Sequence, residues 1–241
     1  MSNEHPDHAH GHGHDHDHDH AGHNHGHHHG HENDQGLRGA LRYLRWLPQM
    51  WSSDINDAVV DLIDPKPDER VVDIGAGMGA GSFRAASVGA QVTAVEPTPF
   101  MRRVLGLRRL TSRHRSRIVV VEGTAEQLPI ADHHVDAIWA VNTMHHWSDL
   151  EQGAQEIARV LRPGGRVVLV DEVFTDPSHP DYERFGREHE SDHHGFTLVE
   201  ADRMGELART VGLVDVQAGS RSVADRPVIV VSARSAAAGV G

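Results

Sequence analysis

The stretch RVVDIGAGMGAGS, residues 70–82, constrains this chain more than any other. It is a short apolar run that ends in closely spaced glycines and passes into a helix-compatible segment. Strands of that kind are buried on both faces and belong to parallel sheets covered by helices. The chain then keeps alternating. Ala80 to Val88 suits a helix, QVTAVEP a strand, and the Arg-rich Phe100 to Leu110 another helix. RIVVVEGTAEQLP, VDAIWAVNTMHHW and RVVLVDE supply three further strands, with the amphipathic DLEQGAQEIARVL and the turn RPGG before the last. Five strands separated by helices specify an α/β fold with a doubly wound, mainly parallel sheet.

After Glu172 the alternation breaks. Residues 173–198 form a polar excursion rich in His and Asp, read as a lid-like insert. A helix, LVEADRMGELARTVG, follows, and then two strand candidates, VDVQAG and PVIVVSA. Their short separation predicts an antiparallel hairpin at the sheet edge.

The other end of the chain is different in kind. Its first 31 residues hold 14 of the 23 histidines and almost no large apolar side chain, so residues 1–35 read as a disordered tail. Residues 36–241 are left as one domain, enough chain for a well-cored α/β unit. Between tail and sheet, Leu37, Leu41, Leu44 and Leu47 recur at helical spacing among Arg38, Arg42 and Arg45, and Pro48 ends the pattern. SDINDAVVDLID predicts a second helix, capped by Ser52 or Ser53.

No stretch approaches the roughly 20 apolar residues of a membrane span, and the N-terminus lacks the apolar core of a signal peptide. Cysteine is absent, so neither a disulfide framework nor a thiolate metal site is available. The expectation is a cytoplasmic protein. A formal charge of −12 argues against nucleic acid as a partner. Full protonation of the histidines would turn that charge to +11, so mild acid can reverse its sign.

Within the glycine stretch, Asp73, Gly75, Ala76, Gly77 and Gly79 stand where a strand turns into a helix. Glycines there permit a tight turn and let a ligand approach the backbone at the helix N-terminus. Glu96 closes the second strand, where a carboxylate can accept from both hydroxyls of a ribose. Nicotinamide, flavin and S-adenosylmethionine sites all use such loops.

Asp73 two residues before the first glycine, EGTAEQLP after the third strand and LRPGG before the fifth narrow the choice. In this order the pieces resemble the class I S-adenosylmethionine-dependent methyltransferases, in particular the ubiquinone/menaquinone methyltransferase-like group acting on small molecules. The likeness spans residues 55–172 well and the C-terminal hairpin loosely. It implies a strand order 3-2-1-4-5-7-6 with strand seven antiparallel. It implies that DIGAGMG holds the methionine part of S-adenosyl-L-methionine, that Glu96 with Pro97 takes the ribose, and that the turn Thr124–Ala125–Glu126 takes the adenine. VNTMHHW, with Asn142, His145 and His146, would line the space beside the methyl group. Many relatives carry Asp where this chain has Thr124, which leaves adenine recognition to Glu126 or the Ala125 amide. His145 or His146 is a candidate general base, the alternative being packing or cofactor contact. The N-terminal helices and the insert would cover an unidentified small-molecule acceptor.

Metal is the second theme. In HDHDHDH, imidazoles alternate with carboxylates, and a flexible backbone can wrap them around one cation. His12, His14, His16, His18, His20, His23, His25, His27, His28 and His29 are the candidate ligands, for Zn²⁺, Ni²⁺, Cu²⁺ or Co²⁺. The irregular mixture is unlike a simple polyhistidine purification tag. In the insert, His189, Asp192, His193 and His194 beside Glu188 and Glu190 form either a chelating set or an exposed polar lid. Two functions are open at this point: a methyltransferase with an accessory metal-binding tail, or a metal-handling protein that uses a methyltransferase-like domain as scaffold.

Overall fold

The computed structural model describes residues 53–183 and 199–237. The His-rich tail, the Leu37 to Leu47 segment and the acidic and histidine residues of 188–194 lie outside them.

The first described element, α1, spans Asp54–Ile63 and buries Ile55, Val59, Val60 and Ile63 on one stripe. Ser53 occupies its N-cap with extended backbone, but the hydroxyl makes no capping bond. Asp54 and Asp57 in the first turn instead complement the helix dipole. Strand β1 (Arg70–Ile74) leads into α2 (Ala80–Ser87), β2 (Gln91–Val95) into α3 (Pro99–Thr111), and β3 (Ile118–Val121) into β4 (Val135–Val141). Helix α4 (Leu150–Val160) runs into β5 (Leu161–Glu172), and α5 (Ala201–Thr210) precedes β6 (Leu213–Val223) and β7 (Arg226–Ser235).

The seven strands form one sheet in the order β3-β2-β1-β4-β5-β7-β6. Strands β1 to β5 pair in parallel, whereas β7 is antiparallel to both β5 and β6. Helices α1, α2 and α3 pack on one face around Trp139, Val168 and Val170. Helices α4 and α5 cover the other around Ile138, Leu169 and Val231. The expected fold class and strand order are those observed.

Three elements differ in extent from the sequence reading. The fourth strand stops at Val141, because Asn142 turns with φ of 55° and Met144–His146 then form a 3-10 turn. The RPGG turn is absorbed into β5 as a bulge: Val135 pairs with Leu161 but Ala137 with Arg166, and Gly164 takes φ of 77°. The hairpin strands outrun their apolar centres. Ala224 and Asp225 both adopt positive φ (49° and 58°), the two-residue turn whose twist matches flanking strands, so backbone pairing continues into polar sequence.

Candidate active site

The loops after β1, β2, β4 and β5 gather at the C-terminal edge of the sheet, where open α/β sheets bind ligands. Gly75 and Ala76 donate their amides to the Val95 carbonyl at 2.9 and 3.0 Å, which hangs the glycine loop on the end of β2. Glu96, 5% exposed, completes the link. Its two carboxylate oxygens accept from the Gly77 amide and the Thr98 amide, each at 2.8 Å. Arg102 braces the same corner through the Glu96 and Pro97 carbonyls and the Glu122 carboxylate. Pro97 itself is exposed.

The glycines serve distinct purposes. A Cβ on Gly75 would lie 2.5 Å from the Thr143 methyl, so this glycine lets the loop touch the turn after β4. Gly77, with φ of 54°, faces open space: nothing lies within 4 Å of where its Cβ would be. A backbone cradle with one carboxylate beside it is what S-adenosylmethionine needs for its methionine and ribose parts, and the residues fit that group. Gly75→Ala should therefore lower folding stability by about 2–4 kcal/mol, through overpacking plus positive φ. Gly77→Ala should incur only the φ strain of about 1 kcal/mol. Thermal or urea unfolding of the two variants checks this ordering, and equal losses would refute it.

Asp73, 3% exposed, does not reach into the cradle. Its carboxylate accepts from the Ser82 hydroxyl at 2.6 Å, tying β1 to the first turn of α2. Gly81 closes the space above it; a Cβ there would fall 2.8 Å from the indole nitrogen of Trp139 and 3.3 Å from Asn56 Oδ1. Burial pushes the Asp73 carboxyl up to about 7, with the Ser82 bond opposing the rise and Glu96 adding to it. The folded chain thus holds this proton more tightly than the unfolded chain does. Its contribution to stability is present below pH ~4 and is lost as pH rises through about 7. Between those limits the stability of Asp73→Asn should gain on the parent by a few kcal/mol, at roughly 1.4 kcal/mol per pH unit. Parallel stability curves from urea melts at pH 5, 6 and 7 would contradict the assignment.

The turn after β3 is clamped onto α4. Glu156 accepts from the Leu128 amide at 2.8 Å, and Arg159 reaches the Leu128 and Ile130 carbonyls and Asp132. Thr124 is exposed and bridges to Gln127, and Ala125 is buried with its methyl in the core. Glu126 faces the start of α4: one oxygen accepts from the Ser148 amide and hydroxyl at 2.7 and 3.0 Å and from the Asp149 amide at 3.3 Å. Burial opposes its ionisation, but those bonds, with others from its own amide and Thr124, hold the carboxyl below the usual range. Of the three residues assigned to adenine, Glu126 is thereby engaged structurally.

At the ends of β4 and β5 lie residues that the sequence reading did not single out. Asp171, 5% exposed, accepts from the Thr143 and His145 amides at 2.9 and 3.0 Å and bonds His145 Nδ1 at 2.9 Å. Asn142 does not point into the open cradle; its side chain donates to Glu172 Oε1 and accepts from the Glu172 amide at 2.8 Å. Glu172 also meets His179 Nε2 at 2.8 Å and Arg226 at 3.2 Å, and Arg226 continues to Asp181 at 3.4 Å. His145 is partly buried, its ring centre 4.1 Å from that of the exposed His146 and tilted 52° to it. Two adjacent acids closing a parallel strand at the ligand edge were the available signal for Asp171 and Glu172.

A cavity of about 620 Å³ lined by Leu62, Arg166, Asp215 and Arg234 lies at the opposite edge, where β6 begins and β7 ends. Among the described residues no three His, Asp or Glu side chains are grouped to hold a metal.

Residues 72–169 match the family model described as a methyltransferase domain. By this match the segment is similar to methyltransferase domains. An uncharacterised methyltransferase of Mycobacterium tuberculosis is 40% identical over 111 residues, 46% of this chain and 43% of that protein. The demethylmenaquinone methyltransferase of Corynebacterium kroppenstedtii is 35% identical over 118 residues, 49% of this chain and 47% of its own. The chain thus spans less than half the length of these curated relatives. In fold, the chain is similar to a putative S-adenosylmethionine-dependent methyltransferase of Methanococcus maripaludis. That likeness has a TM-score of 0.64 at 18% identity and covers 85% of this chain and 95% of the other.

Proposed function

We propose that the whole protein transfers a methyl group from S-adenosylmethionine to a small-molecule acceptor. The observation that carries this reading is the open cradle at Gly77 joined to the Glu96 carboxylate across the ends of β1 and β2. Two accepted amides occupy only part of the roughly four lone-pair sites of a carboxylate, so Glu96 can also accept from ribose hydroxyls. The bound sulfonium supplies an activated methyl donor. The protein's share is therefore to hold the acceptor in line and to exclude water.

His145 stands on the turn that abuts Gly75, with its Nδ1 edge fixed by Asp171. It is the residue we assign to taking the acceptor's proton, with the exposed His146 beside it. Once an acceptor is in hand, His145→Gln should lower turnover by about 10²-fold or more while leaving cofactor affinity unchanged. Turnover equal to the parent's would remove the role.

Calorimetry with S-adenosylmethionine and S-adenosylhomocysteine is the deciding experiment. Binding of both supports the assignment, and binding of neither refutes it. A screen for S-adenosylhomocysteine release against hydroxyl, amine and quinol acceptors then identifies the substrate.

The tail is a separate matter. We propose that its imidazoles bind Zn²⁺, Ni²⁺, Cu²⁺ or Co²⁺ and that this binding takes no part in methyl transfer. Removal of residues 1–35 should abolish metal uptake and leave cofactor binding and turnover intact. Loss of turnover on removal would favour direct coupling of the two. No helix among the described residues is long and apolar enough to cross a membrane.

A further inference from the structure

In a chain of net charge −12, residues 97–121 contain seven arginines and no carboxylate. Helix α3, the 3-10 turn Arg115–Arg117 and the link between them, with Arg113, carry them at the β3 edge of the sheet. Several are engaged within the domain. Arg102 pairs with Glu122, Arg117 with Asp68, Arg109 holds the Arg115 and Ile118 carbonyls, and Arg108 lies over the Phe83 ring. Arg103, Arg113 and Arg115 are exposed, and no carboxylate among the described residues pairs with them. They flank Leu107 and Leu110, which are 66% and 61% exposed. An unusually basic surface with two large apolar side chains at its centre is thus left on the outer flank of α3.

We propose that this surface is the docking site of the chain's own N-terminal tail. Residues 1–36 contain seven carboxylates and no Lys or Arg, the first basic side chain being Arg38. The tail is therefore the charge complement of the Arg103–Arg115 flank. The imidazoles suit the rest of it: each offers an apolar ring body to Leu107 and Leu110 and a polar tip to water. Reach is no obstacle, since some fifty residues precede α1 and extended chain spans about 3.3 Å per residue. Tethering raises the local concentration of the tail to the order of millimolar, so a contact weak between separate molecules is populated within one. An anionic macromolecule is the less favoured occupant, because the overall charge of −12 repels it at long range.

The absence of cysteine makes the test direct. Ser2→Cys in the full chain places one nitroxide label on the tail, and paramagnetic broadening of backbone amide signals reports where the tail rests. At low salt, amides of residues 103–117 should lose roughly half or more of their intensity, while those of α5 on the opposite face keep theirs. The contrast should vanish at about 1 M salt, where the screening length falls to ~3 Å. It should also vanish in the Arg103→Glu, Arg113→Glu, Arg115→Glu variant. Should that variant fail to fold, Asp15→Asn, Asp17→Asn, Asp19→Asn and Glu32→Gln in the tail remove the same attraction from the other partner. Uniform broadening, or broadening centred elsewhere, overturns the proposal. So does broadening of an unlabelled copy mixed with a labelled one, which would make the contact intermolecular. Displacement of the tail from 103–117 only by vesicles containing phosphatidylserine supports the site. Vesicle binding there without any tail contact overturns it.

Discussion

Glu96→Ala should reduce affinity for S-adenosylmethionine by roughly 100-fold or more, the largest effect on ligand binding expected of any single change in this chain. The carboxylate has two duties at once. It accepts from the Gly77 and Thr98 amides and so shapes the loop before any ligand arrives. In the proposed function its remaining lone pairs would also accept from the ribose. Hydrogen bonds to a charged group are worth about 1.5–3 kcal/mol each, and loss of two corresponds to at least two decades in affinity. Glu96→Gln retains one acceptor but turns an amide N–H₂ toward a backbone N–H, so it should fall between, at about tenfold. Calorimetry with S-adenosylhomocysteine measures both, with circular dichroism confirming the fold. Parent-like affinity in the alanine variant would show that Glu96 only shapes the loop.

Asp171→Ala should be the most damaging substitution for the fold near the site, lowering stability by about 3–5 kcal/mol. The carboxylate receives the Thr143 and His145 amides and the His145 ring within 3.0 Å. Alanine would strand these donors where water reaches them poorly, Thr143 being 8% exposed. Asn can accept through one oxygen only, so Asp171→Asn should lose about half as much. Urea denaturation gives the ordering directly, and a loss below about 1 kcal/mol for alanine would mean that the 3-10 turn holds without Asp171.

How much of this was legible beforehand follows from what each feature depends on. The parallel sheet was legible because buried strands must be continuously apolar and the glycine loop marks their ligand edge, as in Val71 to Gly79. The limits of β4 and β5 were not. Asn142 ends β4 by adopting positive φ, and the RPGG bulge depends on how Val135 meets Leu161 across the sheet. Both are decided by partners more than twenty residues away. Asp73 illustrates the same gap within the site. Its type and position pointed to the loop, yet its direction is set by Ser82, Gly81 and Trp139, which only packing brings together. Asp171 needed the turn after β4 to exist before its purpose could be seen. The sequence likeness likewise marked Glu126 without showing that Ser148 and Asp149 hold it.

The cluster of Glu172, His179, Asp181 and Arg226 bears on which part of the segment after β5 can be exchanged. His179 is 3% exposed and joins the end of β5 to the hairpin through Glu172 and Arg226. The opening residues of the insert, up to about Tyr182, are therefore scaffold. A chimera that exchanges the whole of 173–198 would remove that joint. An exchange that starts beyond Tyr182 leaves His179, Asp181 and Arg226 joined to Glu172.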